Sequence, residues 1–445
     1  MDRRRTVVAV ALAVGVVALT AAFGLQSGPA LDRGGADAVP ASTIDGHDLG
    51  NRTVGYTHQR GSGNRVFDGT AALTDAEPWS VGIPGRPRWV VGVPDGDGTV
   101  WAAVLASGRT RGFRVGDGGV TSVAVEPDRV DPATPPALAV LDGQPTLLVP
   151  PNGSRYAHPV VTDDVATWLT DDGSLVVRDA GTADGVHDVD ARVPLDPLPD
   201  ARLAVADGIA AVLVGPTRRY RHGVLGDDVE ASAVALVDLT NGSLLRRIAP
   251  PGDLVIEGLQ PIITDVGDGD SAREVLVTAS GDGDGARLVA LDQAGDVAAM
   301  GPSFGRTHRW RHQVAATEFH GGREAVAVET PHIGGTARFH GVEGDRFRVV
   351  AAAGVVLSSH VIGSRNLDAV AAGDLDDDGA TEVLAPAADR RSLVAVERTG
   401  TGAGEDWRVA AGGRITTNLA SATVDGGTAV AVGTEEGIVV WRPPR

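Results

Sequence analysis

One short unit recurs along the chain and decides what kind of fold the chain can form. Each copy has a turn dipeptide, and an apolar triplet begins five residues after the first residue of that dipeptide. The seven copies start at Asp97, Asp142, Asp207, Asp270, His320, Asp378 and Asp425. Neighbouring copies lie between 45 residues (97 to 142) and 65 residues (142 to 207) apart. A period of about 40–50 residues or slightly more, filled with short strands, is typical of β-propeller blades.

The rest of the chain fits an all-β protein. Its 60 glycines and 26 prolines interrupt the chain every few residues, and no long helical pattern follows the N-terminal segment. Short apolar runs pair into hairpins, as in Val165–Leu169 with Ser174–Val177 across Asp171-Asp-Gly173. We therefore predict a seven-bladed β-propeller over residues 61–445, with four short strands in each repeat. A strand from 65–67 or 70–73 would complete the last blade and protect its edge.

The charge of the chain limits its partners. The net charge is −19, and all 39 basic residues are arginine because the sequence contains no lysine. Dense carboxylates hold water, and high salt screens their repulsion, so this composition is typical of a halophilic archaeon. Codon bias alone would explain arginine in place of lysine but not the acidity. An acidic protein is a poor partner for nucleic acid, whose phosphates need a basic surface.

The N-terminus predicts export. Arg3, Arg4 and Arg5 precede an uncharged run, 6–25, whose 20 residues match a hydrocarbon core about 30 Å thick. We predict a signal anchor over 1–25 with the bulk of the chain outside the cell. Cleavage after 20–22, which would secrete the protein, and a twin-arginine export signal are the alternatives. Residues 26–60 have no periodicity and predict a flexible linker.

An acidic loop in 373–384 predicts a metal site. Asp374, Asp376 and Asp378 alternate along the chain, Gly379 allows a sharp turn, and Glu382 follows before an apolar strand. Alternate carboxylates in a tight loop face one centre, which suits a hard cation such as Ca²⁺. The loop is not an EF-hand, because its twelfth residue is alanine and not a bidentate glutamate. The alternative is a solvated acidic turn.

This loop resembles the FG-GAP/VCBS repeat, the calcium-loop repeat of integrin-type propellers. The resemblance implies that Asp374, Asp376, Asp378, the Ala380 carbonyl and Glu382 bind Ca²⁺. A second loop matches with one inserted residue and Ser271 in the glycine position, and it implies further ligands at Asp265, Asp268, Asp270 and Glu274. The resemblance also implies seven blades, a cell-surface setting and binding through loops on one face.

A second resemblance offers a different function. Segments 234–242 and 433–441 are similar to blades of pyrroloquinoline-quinone (PQQ)-type propellers, which include quinone-dependent dehydrogenases. The vicinal disulfide of many such enzymes cannot form here, because the chain has no cysteine. The regular tryptophan of each blade is also mostly absent. The shared pattern therefore indicates a propeller more than it indicates redox chemistry.

No catalytic motif stands out, and the chemistry-bearing clusters have plain alternatives. The sequence has no nucleophile elbow, zinc-protease helix, phosphate loop or dinucleotide fingerprint. The basic-aromatic clusters 218–222 and 306–312 could bind an anionic sugar, or their arginines could simply pair with nearby carboxylates. Sequons at Asn51, Asn152 and Asn241 could be glycosylated, and the last two also suit hairpin turns.

We therefore expect a membrane-anchored, extracellular propeller that binds a protein or glycan and is not an enzyme. Calcium would stiffen one or two of its loops, and its central channel would be lined by small apolar and turn residues. A polysaccharide lyase, a hydrolase or a PQQ-like oxidoreductase is the enzymatic alternative. A lyase or hydrolase would need histidine, arginine, tyrosine or carboxylates at the centre. A structural component of the cell envelope is the third possibility.

Overall fold

The computed structural model describes residues 42–45, 47–50, 52–181, 190–267, 272–424 and 427–443. The predicted N-terminal helix, most of the predicted linker and Asn51 lie outside these ranges. Within them, the structure contains no helix long and apolar enough to span a membrane. The only helix of the described residues is one 3₁₀ turn, Gly223–Leu225. The rest of the regular structure is β-sheet, as the sequence predicts.

The strands follow one another along the chain as short antiparallel hairpins. In the first half they are β1 (Gly55–Tyr56), β2 (Val66–Thr70), β3 (Pro78–Val81), β4 (Pro87–Asp95), β5 (Gly98–Leu105), β6 (Thr110–Gly116), β7 (Gly119–Val123), β8 (Ala137–Leu141), β9 (Gln144–Leu147), β10 (Val160–Val161), β11 (Val165–Leu169), β12 (Ser174–Asp179), β13 (Asp190–Pro194), β14 (Leu203–Ala206), β15 (Ile209–Thr217), β16 (Glu230–Asp238) and β17 (Ser243–Ile248). In the second half they are β18 (Val255–Ile256), β19 (Ile262–Thr264), β20 (Glu274–Gly281), β21 (Gly285–Leu291), β22 (Val297–Met300), β23 (Arg311–Phe319), β24 (Gly322–Glu329), β25 (Thr336–Glu343), β26 (Arg346–Ala352), β27 (Ala371–Asp374), β28 (Glu382–Pro386), β29 (Ser392–Thr399), β30 (Gly402–Ala410), β31 (Ile415–Val424), β32 (Gly427–Thr434) and β33 (Ile438–Trp441).

These strands form successive up-and-down meanders. In the described part of the chain they are β4–β7, β8–β9, β10–β13, β14–β17, β18–β22, β23–β26, β27–β30 and β31–β33. Inner strands of neighbouring meanders pack against one another, as β4 does against β8, β14 against β19 and β23 against β27, and β31 of the last packs against β4 of the first. The last meander is completed from the N-terminal side by β3, which pairs antiparallel with β33. This cyclic order of meanders is a β-propeller-like fold.

Burial decreases from the inner to the outer strands of a meander and explains their sequences. Every residue of β5 is buried, so this strand is a continuous apolar run, apart from its first two residues, and not an alternating one. The outer strand β17 is exposed except at Ile248 and contains two arginines. The Asp142-Gly143 turn between β8 and β9 places both residues at positive φ, 51° and 81°, as a tight hairpin requires.

The predicted number of blades, seven, is wrong for the described residues, which form eight meanders. The additional one is β10–β13, and it lies inside the 65-residue interval between the copies at Asp142 and Asp207. Its first turn, Asp163-Asp164, has no glycine, and the residues five positions later are Trp168-Leu-Thr and not an apolar triplet. The preceding meander consists only of the hairpin β8–β9, with β1 beside β8. Because this meander is shorter than the others, the spacing of the repeats along the chain is irregular.

The centre of the fold is occupied by the chain itself. We call residues 55–66 the axial segment, because this stretch contacts an inner strand of each meander. Its contacts are Gly55 and Tyr56 with β4, β8 and β10, Gln59 with β31, Gly61 with β14, Ser62 with β19, Asn64 with β23, and Arg65 and Val66 with β27. The predicted linker therefore ends earlier than residue 60, since Thr57 and His58 are completely buried.

The predicted closing strand also lies elsewhere. Residues 66–70 form β2, which pairs in parallel with β27 and not with the last meander. The strand that completes the last meander is β3, about ten residues further along the chain. A strand from the N-terminal side does cover the edge of β33, as we expected. However, that strand is β3, because the residues expected to form it lie in or next to β2 and pair with β27 instead.

Candidate functional site

The acidic loop between β27 and β28 brings three carboxylates together. Asp374 is the last residue of β27, Glu382 is the first residue of β28, and Asp376 lies between them. One ligand oxygen from each of the three lies within 4.8 Å of the others. Since Gly373 pairs with Glu382 in the ladder, the two strand ends hold Asp374 and Glu382 side by side. These three of the predicted ligands therefore do lie around one centre.

The backbone of the loop turns around Asp374. Its Oδ1 accepts a hydrogen bond from the Asp377 amide at 2.9 Å, and its Oδ2 accepts one from the Gly379 amide at 3.2 Å. Gly379 has φ of 85° and Asp377 has φ of 69°, a conformation that glycine and aspartate tolerate better than other residues. Asp378 is exposed, and its Oδ1 accepts from the Ala380 amide at 2.7 Å. Of the predicted ligands, Asp378 is outside the three-carboxylate group.

Two oxygens of this group are buried and have no hydrogen-bond partner among the described residues: Asp376 Oδ1 and Glu382 Oε1. Glu382 is completely buried, and its other oxygen accepts from the Leu375 amide at 2.8 Å. Burial, together with the charges of Asp376 and Asp378, raises the pKa of Glu382 to about 9. Burial and the charge of Asp378 raise the pKa of Asp376 to about 6. Bare buried oxygens are costly unless a cation or a proton satisfies them, so this loop fits a small oxygen-seeking cation.

The loop before β20 has the same plan with one important difference. Glu274 Oε2 accepts from the Val266 amide at 3.0 Å, as Glu382 does from Leu375. However, Arg323 Nε lies 3.5 Å from Asp265 Oδ2, so a guanidinium already faces the first carboxylate of this loop. The other predicted ligands here, Asp268 and Asp270, lie outside the described residues. The described part of the loop is thus less suited to a second cation.

The centre of the propeller holds polar side chains and not the small apolar residues that we expected in a binding module. Asp368 is completely buried, and its oxygens accept from Arg65, Arg202 and Thr57 at 2.8–3.1 Å. Burial opposes the charge of Asp368, but Arg202 and Arg65 outweigh it and hold its pKa below the usual value. This buried cluster is an ion-pair network in which two guanidinium groups share one carboxylate.

Two histidines lie beside this network. His58 and His158 stack with their ring centroids 4.7 Å apart, and a ring nitrogen of each lies 3.0 Å from the other. Burial lowers the pKa of His158 to about 4 and that of His58 well below its usual value, so both are neutral at pH 7. Histidine, arginine and carboxylate do converge at the centre, as a lyase or hydrolase would need. They are at most 2% exposed, however, and no substrate could reach them in this conformation.

The two basic-aromatic clusters of the sequence are largely paired with carboxylates. Arg218 pairs with Asp228, and His222 lies against the buried Glu257. In the second cluster, Arg311 Nη2 lies 3.0 Å from Glu329 Oε1. Sequence reasoning left open whether these arginines bind an anion or pair within the chain, and in the structure these two pair within the chain. The sequons at Asn152 and Asn241 lie on exposed turns, and Asn152 has φ of 52°.

Comparisons with known proteins give similarity in structure only. No protein-family model matches the chain. No curated protein matches it either. Among solved structures, the chain is similar to BamB from Moraxella catarrhalis, with 11% identity and a TM-score of 0.42 over 83% of this chain and 95% of that one. It is also similar to the computationally designed Ika8 protein, with 12% identity and a TM-score of 0.38 over 82% of this chain and 100% of that one. At these values neither similarity assigns a function, and the description of the fold rests on the strand pairings given above.

Proposed function

We propose that this protein is a non-enzymatic binding module, a β-propeller whose loop between β27 and β28 is stabilised by one Ca²⁺ ion. The observation that carries the proposal is the bare, buried Glu382 Oε1, which lies in one group with Asp374 and Asp376. A divalent cation there would neutralise clustered carboxylates and fix the turn between two strands. Its role would be structural, because the ion would lie in a turn that connects two strands.

The burial of the central groups supports a binding role over catalysis. A lyase or hydrolase needs an acid or base that reaches its substrate, and the central groups named above are at most 2% exposed. The exposed connections between strands remain as surfaces on which a partner could bind, and loops on a rigid scaffold commonly contain binding residues. We propose an extracellular protein or glycan as the partner, and attachment to the cell membrane through residues 1–25. The N-terminal sequence supports the attachment to the membrane, and the resemblance to calcium-loop propellers supports the class of partner.

Thermal unfolding of the full chain with Ca²⁺ and with chelator tests the calcium loop. We expect Ca²⁺ to raise the Tm of the wild-type protein. Asp376→Ala should lower the Tm in Ca²⁺ and leave that of the chelated protein almost unchanged, because the substitution removes a ligand of the ion and only one backbone hydrogen bond, the one from Asp378. Asp377→Asn is the matched control: this residue is exposed, tolerates its positive φ as asparagine, and should retain the Ca²⁺ effect. Equal changes in Tm with and without chelator for Asp376→Ala would contradict the proposal.

A pull-down from cell envelope, with the wild-type chain as bait, tests the binding role. A partner retained in Ca²⁺ and released by chelator or by Asp376→Ala would support a calcium-stiffened binding module. Turnover of a polysaccharide by the purified protein, or a quinone absorbance after reconstitution, would instead favour one of the enzymatic alternatives.

A further inference from the structure

A cavity of about 460 Å³ lies at the end of the fold where the chain enters the inner strands. Its walls come from the start of β4, the start of β31, the turn between β28 and β29, and the connection that leads to β27. The metal loop follows the last residue of β27, whereas this cavity precedes its first, so the two sites lie at opposite ends of that strand. The volume is within the range of pockets that bind small molecules, about 300–1,000 Å³.

The charge of the cavity is opposite to that of the protein. Five arginines line it: Arg86, Arg88, Arg365, Arg390 and Arg414. Among the described residues that line it, none is an aspartate or a glutamate. The whole chain has 58 acidic residues and 39 basic ones, so a cavity lined by five arginines and no carboxylate stands out against the rest of the molecule.

Four of these arginines are not neutralised within the described part of the chain. The fifth, Arg365, is neutralised, because it donates hydrogen bonds to Asp200 at 2.7 Å and to Asp227 at 2.8 Å. Arg86, Arg88, Arg390 and Arg414 form no ion pair with a described carboxylate. Some exposed arginines elsewhere do pair, as Arg348 does with Glu343 at 3.1 Å and Arg408 with Glu405 at 2.7 Å, whereas others, such as Arg246 and Arg306, also form no ion pair with a described carboxylate.

Arg390 is the most informative of the four. Its side chain is buried, only 6% of the residue is exposed, and its bonds go to neutral carbonyls of Ile415 and Ser358 at 3.1 Å. Burial and the neighbouring charge of Arg414 lower the pKa of Arg390 to about 10. Its backbone also has a positive φ of 59°, an uncommon conformation for arginine. Burying a guanidinium beside a like charge costs folding free energy, and an anion bound in the cavity would offset this cost.

The non-polar parts of the cavity wall indicate that an anionic ligand would also have an organic skeleton. Tyr156 forms one wall, with the Arg365 guanidinium 4.7 Å from its ring centroid. Val361 and Ile362 line the rim, and Ile362 is 63% exposed. A smaller chamber of about 50 Å³ continues inward beside Trp89 and His360. An inorganic ion would leave these surfaces unused, whereas an organic skeleton would cover them.

We propose that this cavity binds a small organic anion with at least two carboxylate or phosphate groups. Guanidinium groups form paired hydrogen bonds with either oxyanion, so the arginines recognise a chemistry that both groups share. Two negative charges or more are needed to offset four unneutralised arginines. This site is independent of the calcium loop and of the proposed cell-surface role, because it uses different residues at the other end of β27.

Isothermal titration of the full chain in 0.15 M salt tests the proposal. The probes are tricarballylate, a tricarboxylate, and fructose 1,6-bisphosphate, a bisphosphate, with glucose and inorganic sulfate as comparisons. We expect one equivalent of at least one organic polyanion to bind at least tenfold more tightly than sulfate, and glucose not to bind. Which of the two probes binds identifies the oxyanion. Binding of neither, or binding no tighter than sulfate, overturns the proposal.

Variants of exposed arginines keep the test clear of folding defects. Arg88→Gln and Arg414→Gln should each weaken binding at least tenfold and leave the Tm of the unliganded protein unchanged, since both side chains are exposed. Arg246→Gln is the matched control, because it removes the same charge from the exposed outer strand β17. If Arg246→Gln weakens binding as much as Arg414→Gln does, the affinity comes from overall charge and the cavity is not the site.

Discussion

Arg65 Nη2 lies 3.0 Å from Asp368 Oδ1, although 303 residues separate the two along the chain. Both side chains are buried, and Arg202 Nη1 approaches the second oxygen of Asp368 at 2.9 Å. The contact joins the axial segment to the residues just before β27, while Arg202 comes from the start of β14. A single carboxylate therefore connects three parts of the chain at the centre of the propeller.

Asp368→Asn should be strongly destabilising. The substitution leaves two buried arginines without a counter-charge, and removing one partner of a buried ion pair typically costs about 3–5 kcal/mol. Denaturation with guanidinium chloride at pH 7 measures this loss. Asp345→Asn is the control, since the Asp345 side chain is 83% exposed and its pairing with Arg346 should contribute little. A change below about 1 kcal/mol for Asp368→Asn would contradict the central role of this pair.

Asn418 should be essential for joining the last meander to the first. Its side-chain amide acts as a peptide group: Oδ1 accepts from the Val90 amide at 3.0 Å, and Nδ2 donates to the Val90 carbonyl at 2.8 Å. Asn418→Ala should cost about 2–4 kcal/mol, because two buried backbone groups lose their partners. Asn418→Asp is the sharper variant, since a carboxylate can accept from the amide but cannot donate to the carbonyl.

Asn64 offers an independent check of the same idea. It contacts Ala316 in the same two-bond manner, with distances of 3.1 and 2.8 Å, and so ties the axial segment to β23. Asn64→Ala should cost a similar amount in a denaturation experiment. If Asn418→Ala and Asn64→Ala both unfold with wild-type midpoints, the interpretation of these amides as peptide mimics is wrong.

Glu230→Gln should stabilise the protein at neutral and alkaline pH. Burial, with the charges of Glu257 and Asp227, raises the pKa of Glu230 to about 10. Because the pKa in the folded state is above the unfolded value of about 4.3, the stability from the protonated carboxyl is present in acid and is lost as the pH rises. Glutamine has no proton to lose, so we expect a gain of about 1 kcal/mol or more at pH 8 and almost none at pH 4.

Thermal melts at both pH values measure this difference. Glu436→Gln is the control, because Glu436 is exposed and its replacement should change the Tm little at either pH. A stabilisation by Glu230→Gln that is equal at pH 4 and pH 8 would mean that packing, and not the loss of a titrating group, explains the effect.

Calcium should bind with a stoichiometry of one per chain. The Asp374 loop has bare buried oxygens, whereas in the Asp265 loop the Arg323 guanidinium already lies 3.5 Å from the first carboxylate. Titration calorimetry with Ca²⁺ counts the sites. Glu382→Gln should abolish binding, while Asp265→Asn should leave both affinity and stoichiometry unchanged. Two equivalents for the wild-type chain, one of them lost in Asp265→Asn, would contradict this prediction.

The sequence predicted those features that are encoded locally. Alternating carboxylates followed by glycine are enough to predict a loop with a shared centre, and the structure groups Asp374, Asp376 and Glu382. Apolar runs bounded by turn residues predicted the strands for the same reason. The hairpin β11–β12 was predicted, but β10–β13 was not counted as a separate repeat, because no apolar triplet begins five residues after its first turn.

Features encoded across long distances could not be predicted. Residues 55–66 have the composition of a loop, because residues along this stretch contact several different inner strands and no periodicity arises. The arginine-lined cavity has the same origin, since Arg88 comes from β4, Arg390 from the turn between β28 and β29, and Arg414 from the residue before β31. No spacing rule links such residues, and only the cyclic arrangement of the meanders brings them together.

The position of the axial segment has a consequence for biosynthesis. The ribosome makes this segment early, yet it bonds to Asp368 and to Leu419, which are made more than 300 residues later. Its polar groups must therefore stay hydrated until nearly the whole polypeptide has emerged, and native structure cannot accumulate one meander at a time from the N-terminus. Nascent chains that stop before β31 should remain open to proteases, however much of their sequence has already been translated.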